Sequence, residues 1–70
     1  MGRKYRELVE LKGKMREKKV TYSAMAKHLK LSVSNFSDKI NGKSVFDIVE
    51  VNIIARELEI VVEEIHIYFF

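Results

Sequence analysis

The sequence contains no cysteine, no proline and no tryptophan, and only 3 glycines in 70 residues. Without cysteine there is no disulfide and no thiolate metal site, and a reducing compartment such as the cytoplasm is the expected setting. Without proline, and with so little glycine, helices with short joints are favoured over a loop-rich scaffold. No stretch approaches 18 consecutive apolar residues, which excludes a transmembrane helix. The N-terminus is basic, but no apolar run follows it, so it does not read as a secretory signal. What is present is 47% hydrophobic and 33% charged, a globular composition and not a disordered one. Seventy residues make a single domain, and a domain of that size buries only about 60% of its unfolded surface.

The net charge of +3 hides an uneven distribution. Residues 1–43 carry 12 of the 13 Lys and Arg against 4 acids, which is +8. Residues 44–70 carry Arg56 against 6 acids, which is −5. The basic part fits a polyanionic partner. The acidic, apolar end points to a different task.

Hydrophobic spacing predicts a helical chain. Tyr5, Leu8, Leu11 and Met15 predict helix 1 over 4–18, with Gly13 inside it at a cost of about 1 kcal/mol relative to Ala. Thr21 is a good N-cap for a short helix over 22–29 containing Ala24, Met25, Ala26 and Leu29. Ser32 caps a third helix over 33–41, with Phe36 and Ile40 turned inward and Gly42 in the left-handed position that ends it. Ser44 is the candidate cap for a fourth helix over 46–58, built on Phe46, Ile48, Val51, Ile54, Ala55 and Leu58. The closing stretch from Ile60 is ambiguous. Glu63, Glu64 and Ile65 suit a helical turn, while its β-branched and aromatic content suits a strand.

The informative unit is residues 21–43. Two short helices joined by a tight turn cannot lie antiparallel and must cross steeply, which is the helix-turn-helix arrangement. Ala26 lets the second helix approach closely, and Leu29, Leu31, Phe36 and Ile40 form the hinge core. Val33, Ser34, Ser37 and Asp38 are left on the outer face, rimmed by Lys30, Lys39 and Lys43. A face of short side chains edged with cations is what a helix needs to enter a major groove and touch base edges.

At these residues the sequence resembles the lambda-repressor-like (Cro/CI-type) helix-turn-helix domains, in particular small repressors of phages of Gram-positive bacteria. The resemblance runs from about Leu11 to Phe70. It rests on LKGKM, on Thr21 with Ala26 and Leu29, on Ser32, Ser34, Phe36 and Ser37, and on INGK; it continues through Phe46, Glu50-Val51, Ile54-Ala55, Leu58, Ile60, Glu63-Glu64-Ile65 and the final Phe pair. It implies an all-α bundle of four or five helices that binds a near-palindromic operator as a homodimer and regulates transcription, in a bacterial cell or phage-infected bacterium. Val33, Ser34, Ser37 and Asp38 would read bases. Thr21, Tyr22, Ser32, Asn35, Lys39, Asn41 and Lys43 would hold phosphates. The sequence departs from the family at several points. Tyr22 replaces a usual Gln, and Lys19 and Lys30 replace Gly at the joints. Met15 and Ile40 stand where many members pair Arg with Glu, Val61 replaces a capping Ser or Asp, and Asp38 places an anion on the DNA face.

Other chemistry has little support. His28 and His66 are far apart with no ligand-spaced carboxylate, so no metal or other cofactor is expected. Glu63 and Glu64 are adjacent, so they do not face each other on a helix, and the serines have no paired base; an enzyme is not expected. The tail, about 60–70, would close the core or, with Ile65, Ile67, Tyr68, Phe69 and Phe70, mediate dimerisation or bind a protein partner. The competing reading of the whole chain is a protein-interaction module of the same fold, such as an antirepressor, without specific DNA binding.

Overall fold

The computed structural model describes residues 4–70, and every regular element among them is helical. In chain order these are α1 (Val9–Lys18), α2 (Tyr22–Leu29), α3 (Val33–Ile40), α4 (Ile48–Glu57), a 3-10 turn (Val62–Glu64) and α5 (Ile65–Phe69). The protein is therefore an all-α bundle of the expected four- to five-helix kind.

Local sequence sets where three of the helices begin. The Thr21 hydroxyl accepts from the Ala24 N–H at 3.1 Å, and the Ser32 hydroxyl accepts from the Asn35 N–H at 3.0 Å. Each satisfies one of the orphan donors at a helix start. At α4 the cap is Asp47 and not Ser44. The Asp47 carboxylate accepts from the Glu50 N–H at 2.8 Å while the Glu50 carboxylate accepts from the Asp47 N–H at 3.0 Å. This reciprocal box starts α4 at Ile48, two residues later than the apolar spacing predicts. Phe46 and the exposed Ile48 are thereby removed from the helical core stripe, although the Phe46 ring still packs on the core.

Four helices end alike. After α3, the Gly42 N–H donates to the Lys39 carbonyl at 3.4 Å and the Lys43 N–H to the Asp38 carbonyl at 2.8 Å, with Gly42 at φ 93°. The same pair of bonds closes α1, α2 and α4, but there the left-handed residues are Lys19, Lys30 and Glu59, at φ 60°, 60° and 59°. In those three the next residue is apolar (Val20, Leu31, Ile60) and packs on the core, which completes the motif. The joints thus keep the left-handed turn and carry its steric cost, of order 1–2 kcal/mol for a residue with a Cβ. Gly13 is the reverse case: it sits inside α1, where an added Cβ would meet nothing closer than the Arg16 guanidinium at 4.0 Å. Lys30→Gly and Gly13→Ala are each expected to stabilise the domain by about 1 kcal/mol. In thermal melts followed by circular dichroism that is a rise of roughly 4–8 °C per substitution.

The core is formed by all five helices. Leu11 and Met15 of α1, Met25 of α2, Phe36 and Ile40 of α3 and Ile54 of α4 are enclosed, with Leu58 and Ile60 beyond α4 and Phe69 from α5. Met15 and Ile40 are both fully buried in this core. An aromatic series runs through the bundle. Tyr22 meets Phe36 edge-on at 5.2 Å between ring centroids, Phe36 meets Phe46 at 5.5 Å, and Phe46 meets Phe69 edge-on at 6.1 Å.

The two ends of the chain differ from the expectation of the sequence. Helix 1 begins at Val9 and not at residue 4, and Tyr5 is exposed. The N–H groups of Lys4 and Tyr5 both donate to the Gly42 carbonyl, at 3.0 and 2.8 Å, and the Leu8 N–H donates to the Ile40 carbonyl at 2.9 Å. Residues 4–8 therefore satisfy carbonyls left open at the end of α3 instead of adding a turn to α1. At the other end, 62–69 is a 3-10 turn followed by a helix, and the strand alternative is not realised. Glu63 and Glu64 lie in its first turn, where acids are favoured. The helical arrangement buries Phe69 and half-buries Ile65 and Tyr68 on one side, which a strand alternating at every residue would not do. Lys14 of α1 lies 5.5 Å from the centroid of the Tyr68 ring. The Tyr68 side chain, followed by the nearby Glu17 carboxylate, raises the Lys14 pKa above its ordinary value.

Candidate nucleic-acid interface

Helix α3 is joined to α2 through residues 30–32 and packs on it. Its burial follows the 100° advance per residue of an α-helix. Phe36 and Ile40 mark the core side, and Ser34 and Asp38 fall opposite. Val33 stands at the first turn with 47% of its surface exposed, and Ser34 and Asn35 are also exposed. Ser37 and Lys39 lie on the two flanks, and both they and Asp38 are half-buried. The four residues expected to read bases are thus Val33, Ser34 and Asp38 on the open side and Ser37 at its edge.

Each flank of α3 is fixed to a neighbouring element. On one side Lys39 Nζ lies 2.9 Å from Glu50 Oε1 and 6.0 Å from the centroid of the Phe46 ring. Since Glu50 also belongs to the capping box, a single carboxylate ties α3 to the start of α4. On the other side Lys12 Nζ of α1 donates to Asn41 Oδ1 at 2.5 Å and to Glu7 Oε2 at 2.6 Å, and Asn41 Nδ2 donates to Ser37 Oγ at 3.1 Å. With Phe36 held between Tyr22 and Phe46, α3 is braced on three sides and presents its fourth.

The residues expected at phosphates divide by what they already do. Thr21 and Ser32 use their oxygens as caps, which leaves their hydroxyl hydrogens as donors at the starts of α2 and α3. Tyr22 is half-buried at the first position of α2, its ring against Phe36. Asn35 is exposed. Lys39 and Asn41 are engaged as above. Lys43 is exposed, with Nζ 3.9 Å from Asp38 Oδ1, so the acid on the open side has a cation beside it. Lys27 and Lys30 are exposed and make no ion pair with another described residue.

The acidic half of the chain lies in α4 and the tail, with α4 tied to α3 through Glu50 and to α2 through His28 Nε2, 3.5 Å from Glu57 Oε1. Of the residues expected in dimerisation, Phe69 is in the core, Ile65 and Tyr68 are half-buried against it, and Ile67 and Phe70 are exposed at 44% and 75%. Among the described residues no three His, Asp or Glu side chains come together as a metal site, and no helix is long and apolar enough to cross a membrane.

Over residues 1–70 the sequence matches the family described as a protein of unknown function (DUF739). The chain belongs to that family. No curated protein and no solved structure matches it. Within this DUF739 chain, the brace of Glu7, Lys12 and Asn41 and the Lys39–Glu50 pair are the parts of the interface that sequence reasoning missed. Lys12 and Asn41 are 29 positions apart, and no local pattern announces the pair.

Proposed function

We propose that this chain is a lambda-repressor-like DNA-binding regulator of phage or prophage type, working in the bacterial cytoplasm. One observation carries the reading: α3 is braced on three sides and turns short side chains, the exposed Ser34 and the half-buried Asp38, away from the core, with Lys30 and Lys43 at its margins. A rigid helix with a low polar face fits into a major groove, and cations around it meet the phosphates. Val33 suits a thymine methyl, and Asp38 can accept from cytosine N4. A homodimer places two such helices about 34 Å apart on a near-palindromic operator, and repression follows from occluding polymerase.

The joint residue Lys30 offers a test that separates fold from function. Lys30→Gly, which relieves backbone strain, is expected to raise the melting temperature and yet weaken binding to every duplex, because it removes a cation from the rim. Selection of bound duplexes from a random pool is expected to return a near-palindrome, and Asp38→Ala is expected to change preference at one position per half-site by about 1–3 kcal/mol. A uniform gain on all duplexes would show that Asp38 only repels phosphates. The alternative of a protein-interaction module draws on exposed Val45, Ile48 and Val49, an apolar strip at the start of α4. Unchanged DNA affinity on Lys30→Gly, with no sequence returned by the pool, would favour it.

A further inference from the structure

The side-chain network at the end of α3 fixes the direction of its hydrogen bonds. Lys12 is an ammonium and can only donate. The atom of Asn41 that faces it must therefore be the amide oxygen, and the amide nitrogen is turned to Ser37. Glu7 Oε2 accepts a second Lys12 hydrogen and keeps the ammonium in place. The Asn41 main chain is fixed as well, its N–H donating to the Ser37 carbonyl at 3.0 Å. Ser37 Oγ therefore spends one lone pair on Asn41, at the margin of the open side of α3.

We infer that Lys12 and Asn41 act as a positioning pair that makes Ser37 a hydrogen-bond donor toward DNA and so sets base preference at one operator position. This rests on the DNA-binding reading proposed above. A serine hydroxyl left free can rotate to donate or accept, and it tolerates either kind of base edge. With Asn41 donating to one of its two lone pairs, the hydroxyl keeps its hydrogen and a single lone pair, which tips it toward donating. It then matches the acceptors of guanine, O6 and N7, or thymine O4, better than the cytosine N4–H2 donor. Its neighbour Asp38 only accepts. Consecutive residues of α3 thus carry opposite hydrogen-bonding sense, one of them imposed by a lysine on a different helix.

The test uses the full chain and the duplex that the wild-type protein selects from a random pool, with single-base-pair variants as competitors. Ser37→Ala locates the position: discrimination there is expected to fall about tenfold, with the others unchanged. Asn41→Asp still accepts from Lys12 but also accepts from Ser37, which turns the Ser37 lone pairs outward. Preference at that position is expected to move toward cytosine by about tenfold. Lys12→Met keeps the aliphatic stem and removes the donor, so the amide is free to flip and discrimination at the same position flattens. Melting curves by circular dichroism accompany each variant, and Lys12→Met decides the matter if Asn41→Asp does not fold. Equal weakening on all competitors, with preference at the Ser37 position unaltered, overturns the inference while leaving DNA recognition standing. A wild-type chain that selects no sequence overturns the DNA-binding reading itself, and this inference with it.

Discussion

Phe36→Ala is expected to unfold most of the protein. Phe36 is fully buried, and its ring contacts those of Tyr22 and Phe46 at 5.2 and 5.5 Å. Removing a buried phenylalanine ring costs about 3–5 kcal/mol through lost transfer energy and the cavity left behind. A domain of this length holds only about 4–10 kcal/mol in all. The loss falls where it matters for function too, because Phe36 is the inward anchor of α3 and packs on Tyr22, at the start of α2. Urea unfolding followed by circular dichroism should show a transition moved to very low denaturant, or none. Phe36→Leu keeps most of the volume and is expected to cost about 1–3 kcal/mol and to stay folded. A native-like transition midpoint for Phe36→Ala would mean that α3 is held by its flanking polar contacts and not by the aromatic series.

Removing residues 66–70 is expected to cost nearly as much. This segment supplies Phe69, buried and edge-on to Phe46, and Tyr68, whose ring lies beneath Lys14. Phe69 alone accounts for about 3–5 kcal/mol. The truncated chain is expected to be largely unfolded at room temperature, so a fall in its sedimentation mass would not by itself report a dimer interface. Paired substitution of the exposed Ile67 and Phe70 by Ser separates the two roles. Surface changes of this kind usually alter stability by less than about 0.5 kcal/mol each. Under the homodimer proposal, they lower the sedimenting mass of a folded protein. A truncated chain that melts like the intact one would remove α5 from the core.

The parts of this fold that were legible in the sequence are those decided within a few residues. Thr21 and Ser32 announce α2 and α3 because a cap and the N–H it satisfies are three residues apart. Gly42 announces the end of α3, where a left-handed residue is required. The start of α4 was equally local. Asp47 and Glu50 have capping-box spacing, but Ser44 and the apolar Phe46 and Ile48 drew the helix start too early. Helix 1 could not be bounded from its own residues, because Lys4, Tyr5 and Leu8 place their N–H groups on carbonyls of residues 40 and 42. The tail did carry a helical signal in Ile65, Tyr68 and Phe69 at i, i+3 and i+4. A helix of five residues is not stable alone, however, and packing against α1 decides its form.

The candidate interface divides the same way. The outward placement of Ser34 and the half-buried Asp38 follows from the inward anchors Phe36 and Ile40 and the helical period. The engagement of Lys39 with Glu50, and of Asn41 with Lys12, depends on where other helices fall; the sequence reads Lys39 as part of a cationic rim, and the family resemblance reads both residues as phosphate contacts. The charge division takes on a finer meaning as a result. Lys12 and Lys39 of the basic half brace the flanks of α3, while Lys27, Lys30 and Lys43 are exposed, Lys43 beside Asp38.

The most direct test of DNA recognition is a gel-shift titration of the intact chain on duplex DNA at 50 and 200 mM salt. A protein that holds several phosphates is expected to bind at the lower salt and to lose affinity steeply, by roughly tenfold or more, at the higher. Failure to bind any duplex at low salt would contradict the account.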